Sequence, residues 1–93
     1  MIVGTCLVDL RIPGCRSLKD KRQVLKALKD SIRRKFNISI AEVDHQDTWQ
    51  RTLLGIATVS SDVKFANQVV SKVINAIESN TNIEVIDYKF EIR

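Results

Sequence analysis

From Ile2 to Ile12 the chain alternates. Ile2, Gly4, Cys6, Val8, Leu10 and Ile12 share one face; Val3, Thr5, Leu7, Asp9 and Arg11 share the other. A period of two with β-branched residues predicts a strand. Pro13-Gly14 ends it, since proline lacks the ladder donor and glycine accepts turn geometry. The period then changes. At about 100° per residue, Leu18, Val24, Leu25, Leu28, Ile32 and Phe36 fall on one side of a helix over Ser17 to Phe36. Ser17 is its expected cap, with Asp20 three positions on, and Arg33, Arg34 and Lys35 suit its C-terminus.

Asn37 breaks the helical pattern, and Ile38 to Asp44 and Arg51 to Ser60 read as a hairpin with a long loop. Gly55 and Ala57 share a face of the second run, where their small size suits close approach of a helix. Ser60 or Ser61 is the expected cap of a second helix from Asp62 to about Ser79, with Val63, Ala66, Val70, Val73, Ile74 and Ile77 as its buried stripe. Asn80-Thr81-Asn82 turns the chain into a last strand, Ile83 to Ile92. There Ile86, Tyr88, Phe90 and Ile92 alternate with Val85, Asp87, Lys89 and Glu91. The order β-α-β-β-α-β with right-handed crossovers predicts a ferredoxin-like sandwich of the α+β class. A four-stranded antiparallel sheet then carries both helices on one face, in a single domain over residues 1–93. The second face has no helix over it, and the pattern places Val3, Leu7 and Val85 there. Self-association is the simplest cover for such a patch, so a homodimer is expected.

Charge adds a second candidate. The formal net charge is +4, and the first helix holds more than half of the 15 basic residues. Lys19, Arg22, Lys26, Lys29 and Arg33 fall within an arc of roughly 80° on the helical wheel, beside the apolar side and with no acid among them. Arg16 and Arg34 extend the row. Such a row gains affinity for phosphate backbones by releasing counterions, while a purely solvated face is the plainer reading. Lys21 departs from the pattern, falling on the apolar side, where its stem snorkels along the core edge or points toward the first loop.

The loop from Asp44 to Arg51 offers His45, Trp49 and Arg51. Trp49 either stacks on a base or packs over the end of the sheet. Asp44, His45 and Asp47 lack the fixed spacing of a metal site, so no metal is expected. Glu42 interrupts an apolar strand and is expected to pair with Arg51 across the hairpin. Cys6 and Cys15 form no zinc or redox motif; Cys6 reads as core, and Cys15, beside Arg16 in a loop, as a candidate reactive thiol. No nucleophile with a base in reach, no Gly-rich phosphate loop and no cofactor motif is visible, so an enzyme is not expected. No apolar run approaches the ~20 residues of a membrane span, and the first residues do not form a signal peptide, which points to the cytoplasm.

Several blocks also resemble a known family. Ser17-Leu18-Lys19-Asp20-Lys21-Arg22 with Val24-Leu25-Lys26, then Asn37 to Val43, Trp49-Gln50-Arg51 and Leu54-Gly55-Ile56-Ala57 are similar, in order, to the YlxP-like proteins. The resemblance implies a ferredoxin-like fold and a small cytoplasmic bacterial protein. It also implies a setting near translation initiation and ribosome maturation, hence RNA or a ribosomal subunit as partner, and it supplies no catalytic residue. The expected function is backbone-directed RNA binding along the first helix. The alternative is a homodimeric protein-interaction or ligand-sensing module that uses the open sheet or a strand edge.

Overall fold

The computed structural model describes residues 1–93, in the order β1 (Ile2–Arg11), α1 (Leu18–Lys35), β2 (Ser39–Asp44), β3 (Arg51–Ser60), α2 (Val63–Glu78) and β4 (Glu84–Ile92). The strands form one antiparallel sheet in the order β2-β3-β1-β4, so β2 and β4 are its edges. Val8, Leu10, Leu54 and Ile56 from the sheet share one buried cluster with Leu28 and Ile32 of α1 and Val70, Val73, Ile74 and Ile77 of α2. Both helices therefore cover the same face, and the expected ferredoxin-like sandwich is the fold.

Local chemistry sets the helix ends. Ser17 Oγ accepts from the Asp20 backbone N–H at 3.0 Å, and Asp20 returns a carboxylate oxygen to the Arg16 N–H at 3.2 Å. The second helix is capped by Asp62, not by a serine: its Oδ1 accepts from Lys64 N–H at 2.7 Å, while Ser60 Oγ takes up the Asp62 N–H. That shift leaves Val63 at the first position of α2 and exposed, outside the stripe expected to include it.

Two irregularities in the strands decide which side chains face the helices. Opposite β1, Asp9 pairs with Asp87 but Leu10 pairs with Val85, so Ile86 is an extra residue in β4. The bulge turns Val85 toward Leu10 and the core, correcting its expected place on the open face. Opposite β3, Glu42 pairs with Leu54 and Asp44 with Leu53, which makes Val43 the extra residue of β2. In β3 the residues under the helices are Thr52, Leu54, Ile56 and Thr58. Gly55 and Ala57 instead lie on the open side, contrary to the expected close helix approach, and a Cβ on Gly55 would stand 2.9 Å from Val43 Cγ1.

The glycine that a helix does require is Gly4. A Cβ there would meet Ala66 Cβ of α2 and the Phe90 ring, each at 3.3 Å. Gly4→Val is expected to cost about 1–3 kcal/mol in urea unfolding, because the added methyl groups must push α2 off β1. Gly14→Ala, with nothing within 4 Å of the added Cβ, is the control and stays within about 0.5 kcal/mol of wild type.

Candidate functional site

The C-terminal end of β1, the start of α1 and the β2–β3 loop meet at one pole of the sandwich. The residue that joins them is Lys21. It is 2% exposed, and its Nζ lies 2.7 Å from Glu42 Oε2 and donates to the carbonyl of His45. Thr52 Oγ1 donates to the same Glu42 oxygen at 2.6 Å. Alternation explains the meeting: Glu42 sits opposite Leu54 and shares its helix-facing side, so the carboxylate points under α1. Arg51 belongs to the opposite face, where its Nη2 holds both Asp9 oxygens at 2.8 and 3.0 Å. The expected Glu42–Arg51 pair is thus replaced by two others, Glu42–Lys21 and Arg51–Asp9.

His45 presents its carbonyl to Lys21 by adopting φ 63°, the left-handed region that non-glycine residues seldom enter. Gln50 fastens the far side of the same loop. Its Nε2 donates to the carbonyls of Pro13 and Cys15, while its own carbonyl accepts from Ile12 N–H. The clamp leaves Trp49, one residue away, 51% exposed, so the indole does not close over the sheet end. The loop is thereby tied to the start of α1 through Lys21 and to the residues before it through Cys15. Cys15 is corrected by the same packing. It is buried with Ile12 and Leu25, and burial first, then the nearby Asp20 carboxylate, pushes its thiol pKa up against the pull of Lys21. Asp44, His45 and Asp47 do not converge, the Asp44 carboxylate instead accepting from the His45 N–H.

The cationic row lies on the flank of α1 that overhangs β2, as Arg33 shows by donating to the Ile40 carbonyl at 2.9 Å. Asp30 modifies it. Its carboxylate sits 2.9 Å from Lys26 Nζ and 3.6 Å from Arg33 Nη1. The hydrogen bond from Lys26 leads in holding the Asp30 carboxyl below its ordinary range. On the helical wheel the arc of the five cations holds no acid, yet i,i+4 and i,i+3 spacing from Lys26 and to Arg33 signals both contacts. Lys19, Arg22 and Arg34 are exposed and Lys29 half-buried, and none of the four forms an ion pair. Arg16 is exposed as well. On the open face Leu7 is 45% exposed and Val3 half-buried.

Two measurements check this geometry. Glu42→Gln strands a buried ammonium and is expected to cost about 3–5 kcal/mol in urea unfolding, whereas Lys21→Met combined with Glu42→Leu costs less, since no charge is left unpaired. Both thiols are buried, so a soluble disulfide reagent is expected to label neither in the native state and both after unfolding.

Comparison with known proteins places this architecture. Two de novo designed proteins share the fold. Foldit4 matches with TM-score 0.55 and 11% identity, over 100% of this chain and 97% of that one. A design with ferredoxin fold matches with TM-score 0.56 and 12% identity, over 100% and 84%. At the level of sequence, the uncharacterized protein YlxP of Bacillus subtilis (strain 168) is 47% identical over 83 residues, covering 89% of this chain and 90% of the relative. No helix is long and apolar enough to cross a membrane. The family model described as protein of unknown function (DUF503) matches residues 3–90, and the chain belongs to that family, the YlxP-like proteins.

Proposed function

We propose that the protein is a non-enzymatic binding protein that holds structured RNA, free or within a ribosomal particle, by its sugar–phosphate backbone. The observation that carries this reading is the flank of α1, where Lys19, Arg22 and Lys29 form no ion pair. From Lys19 to Arg33 the row rises about 21 Å along the helix axis. Arg16, just before the helix, prolongs it, and the exposed indole of Trp49, in the loop that Gln50 ties to Cys15, offers a stacking surface. The translation setting implied by the family resemblance agrees with such a partner. Contacts of this kind position a backbone and carry little sequence preference.

A second reading rests on the open face. There Leu7, Ala41, Val43, Gly55 and Ala57 line a shallow trough of about 360 Å³, in which a protein segment or a small apolar ligand fits. The two readings separate in one experiment. If Lys19, Arg22 and Lys29 neutralise three phosphates of single-stranded segments, the salt slope is about −2. RNA affinity then falls about twentyfold between about 50 and 200 mM salt. Reversal of all three to Glu is expected to abolish binding to ribosomal subunits and total RNA with the fold intact by circular dichroism, while Leu7→Asp leaves binding unchanged. Loss of function in Leu7→Asp with unchanged RNA affinity in the charge-reversed variant transfers the function to the open face.

A further inference from the structure

The sheet's two edges differ. At β2 the edge lies under the basic flank of α1, and Arg33 occupies the Ile40 carbonyl. At β4 nothing covers the edge, and the strand carries an unusual pattern. Val3 and Arg93 exchange both backbone hydrogen bonds, at 3.1 and 2.8 Å, and the register continues through Thr5–Glu91, Leu7–Lys89 and Asp9–Asp87. Those β4 residues spend their backbone groups on β1, so Tyr88, Phe90 and Ile92 aim theirs outward, away from the sheet. The Tyr88 N–H is accordingly taken up by the Asp87 carboxylate at 2.8 Å, a local substitute for a strand partner.

The side chains follow the same alternation. Tyr88, Phe90 and Ile92 lie opposite Val8, Cys6 and Gly4 on the helix side, yet Tyr88 is 53% and Ile92 38% exposed. The open side carries Asp87, Lys89, Glu91 and Arg93, with signs alternating along the strand. Laid antiparallel against itself about Phe90, this series matches: Asp87 faces Arg93 of the other copy, and Lys89 faces Glu91. On the helix side Tyr88 then faces Ile92, and Phe90 faces Phe90. Shifting the axis to Lys89 sets Asp87 against Glu91, like against like, which is unfavourable across strands.

We infer that β4 is the interface for a second copy of this chain, pairing antiparallel about Phe90 to give a continuous eight-stranded sheet. The outward N–H and C=O groups find partners, the half-exposed aromatic and aliphatic stripe is covered, and the charge series selects the register. This site lies at the sheet edge, not on the open face that the alternation of Val3 and Leu7 suggests for a dimer, and it is independent of the RNA reading.

The test is association measured by sedimentation equilibrium. Lys89→Glu sets a new carboxylate against Glu91 of the other copy at both ends of the interface and is expected to weaken association about tenfold or more. Glu91→Lys does the same with two ammonium groups, and the double swap Lys89→Glu/Glu91→Lys restores the wild-type constant. Asp87→Arg, which faces Arg93, reads the same register through a separate pair. None of the three substituted positions is buried, and circular dichroism confirms that each variant is folded. Leu7→Asp, on the open face, is expected to leave association unchanged. A monomeric wild type, single swaps without effect, or a double swap that fails to restore association overturns the inference. Dissociation by Leu7→Asp alone overturns it in favour of the open face.

Discussion

A buried ammonium group is costly unless its protons have fixed acceptors, and Lys21 meets that demand by recruiting three segments at once. Its stem belongs to α1, its carboxylate partner to β2, and its second acceptor to the loop that leads into β3. Thr52 completes the carboxylate's bonds from β3 itself. The pair therefore fixes the rotation of α1 about its own axis more tightly than Leu25, Leu28 and Ile32 do alone, because apolar contacts tolerate small rotations that a 2.7 Å ion pair does not. The left-handed backbone at His45 is a local strain of about 1–3 kcal/mol, held in place by that bond and by the Gln50 clamp.

Once the rotation of α1 is set, the position of its cations follows. The buried stripe points at the sheet, and the row from Lys19 to Arg33 falls on the flank above β2. Arg33 then serves two partners, Asp30 on its own helix and the Ile40 carbonyl on the strand below. The cations nearer the N-terminus, Lys19 and Arg22, stand clear of both. The same geometric decision thus divides the row into an anchored end and a free end, with Arg16 just before the free end.

Most of the architecture is legible from periodicity. The change from period two to 3.6 and back marks every element, and the order of elements leaves one favoured topology. What periodicity misses is where its count slips. Val85 is assigned to the wrong face because Ile86 is an extra residue, and nothing in the local sequence marks the bulge. Glu42 and Arg51 are charges of opposite sign on neighbouring strands, but they part because the face of β3 that holds Arg51, Gly55 and Ala57 turns out to be the open one, where small residues suggest a helix contact. Lys21 is visible as an oddity on the apolar side of the wheel, but its partner is remote in sequence and becomes identifiable only when α1 is laid over β2. Cys15 shows the limit of loop assignments: a position flanked by Gly14 and Arg16 folds inward with Ile12 and Leu25. Asp30 was readable from helix spacing alone.

The contact between Arg33 and the Ile40 carbonyl bears on how far assembly can proceed. A strand edge with free carbonyls is a template, and a chain with two such edges polymerises by simple repetition. Here one edge is occupied by a side chain of the chain's own helix. A sheet that joins through β4 then ends in β2 on both sides, with a guanidinium seated on each end. If copies join through β4, growth would stop at that two-copy sheet, and the arginine that looks from sequence like one more cation in a row would also stand in the way of a further strand at β2.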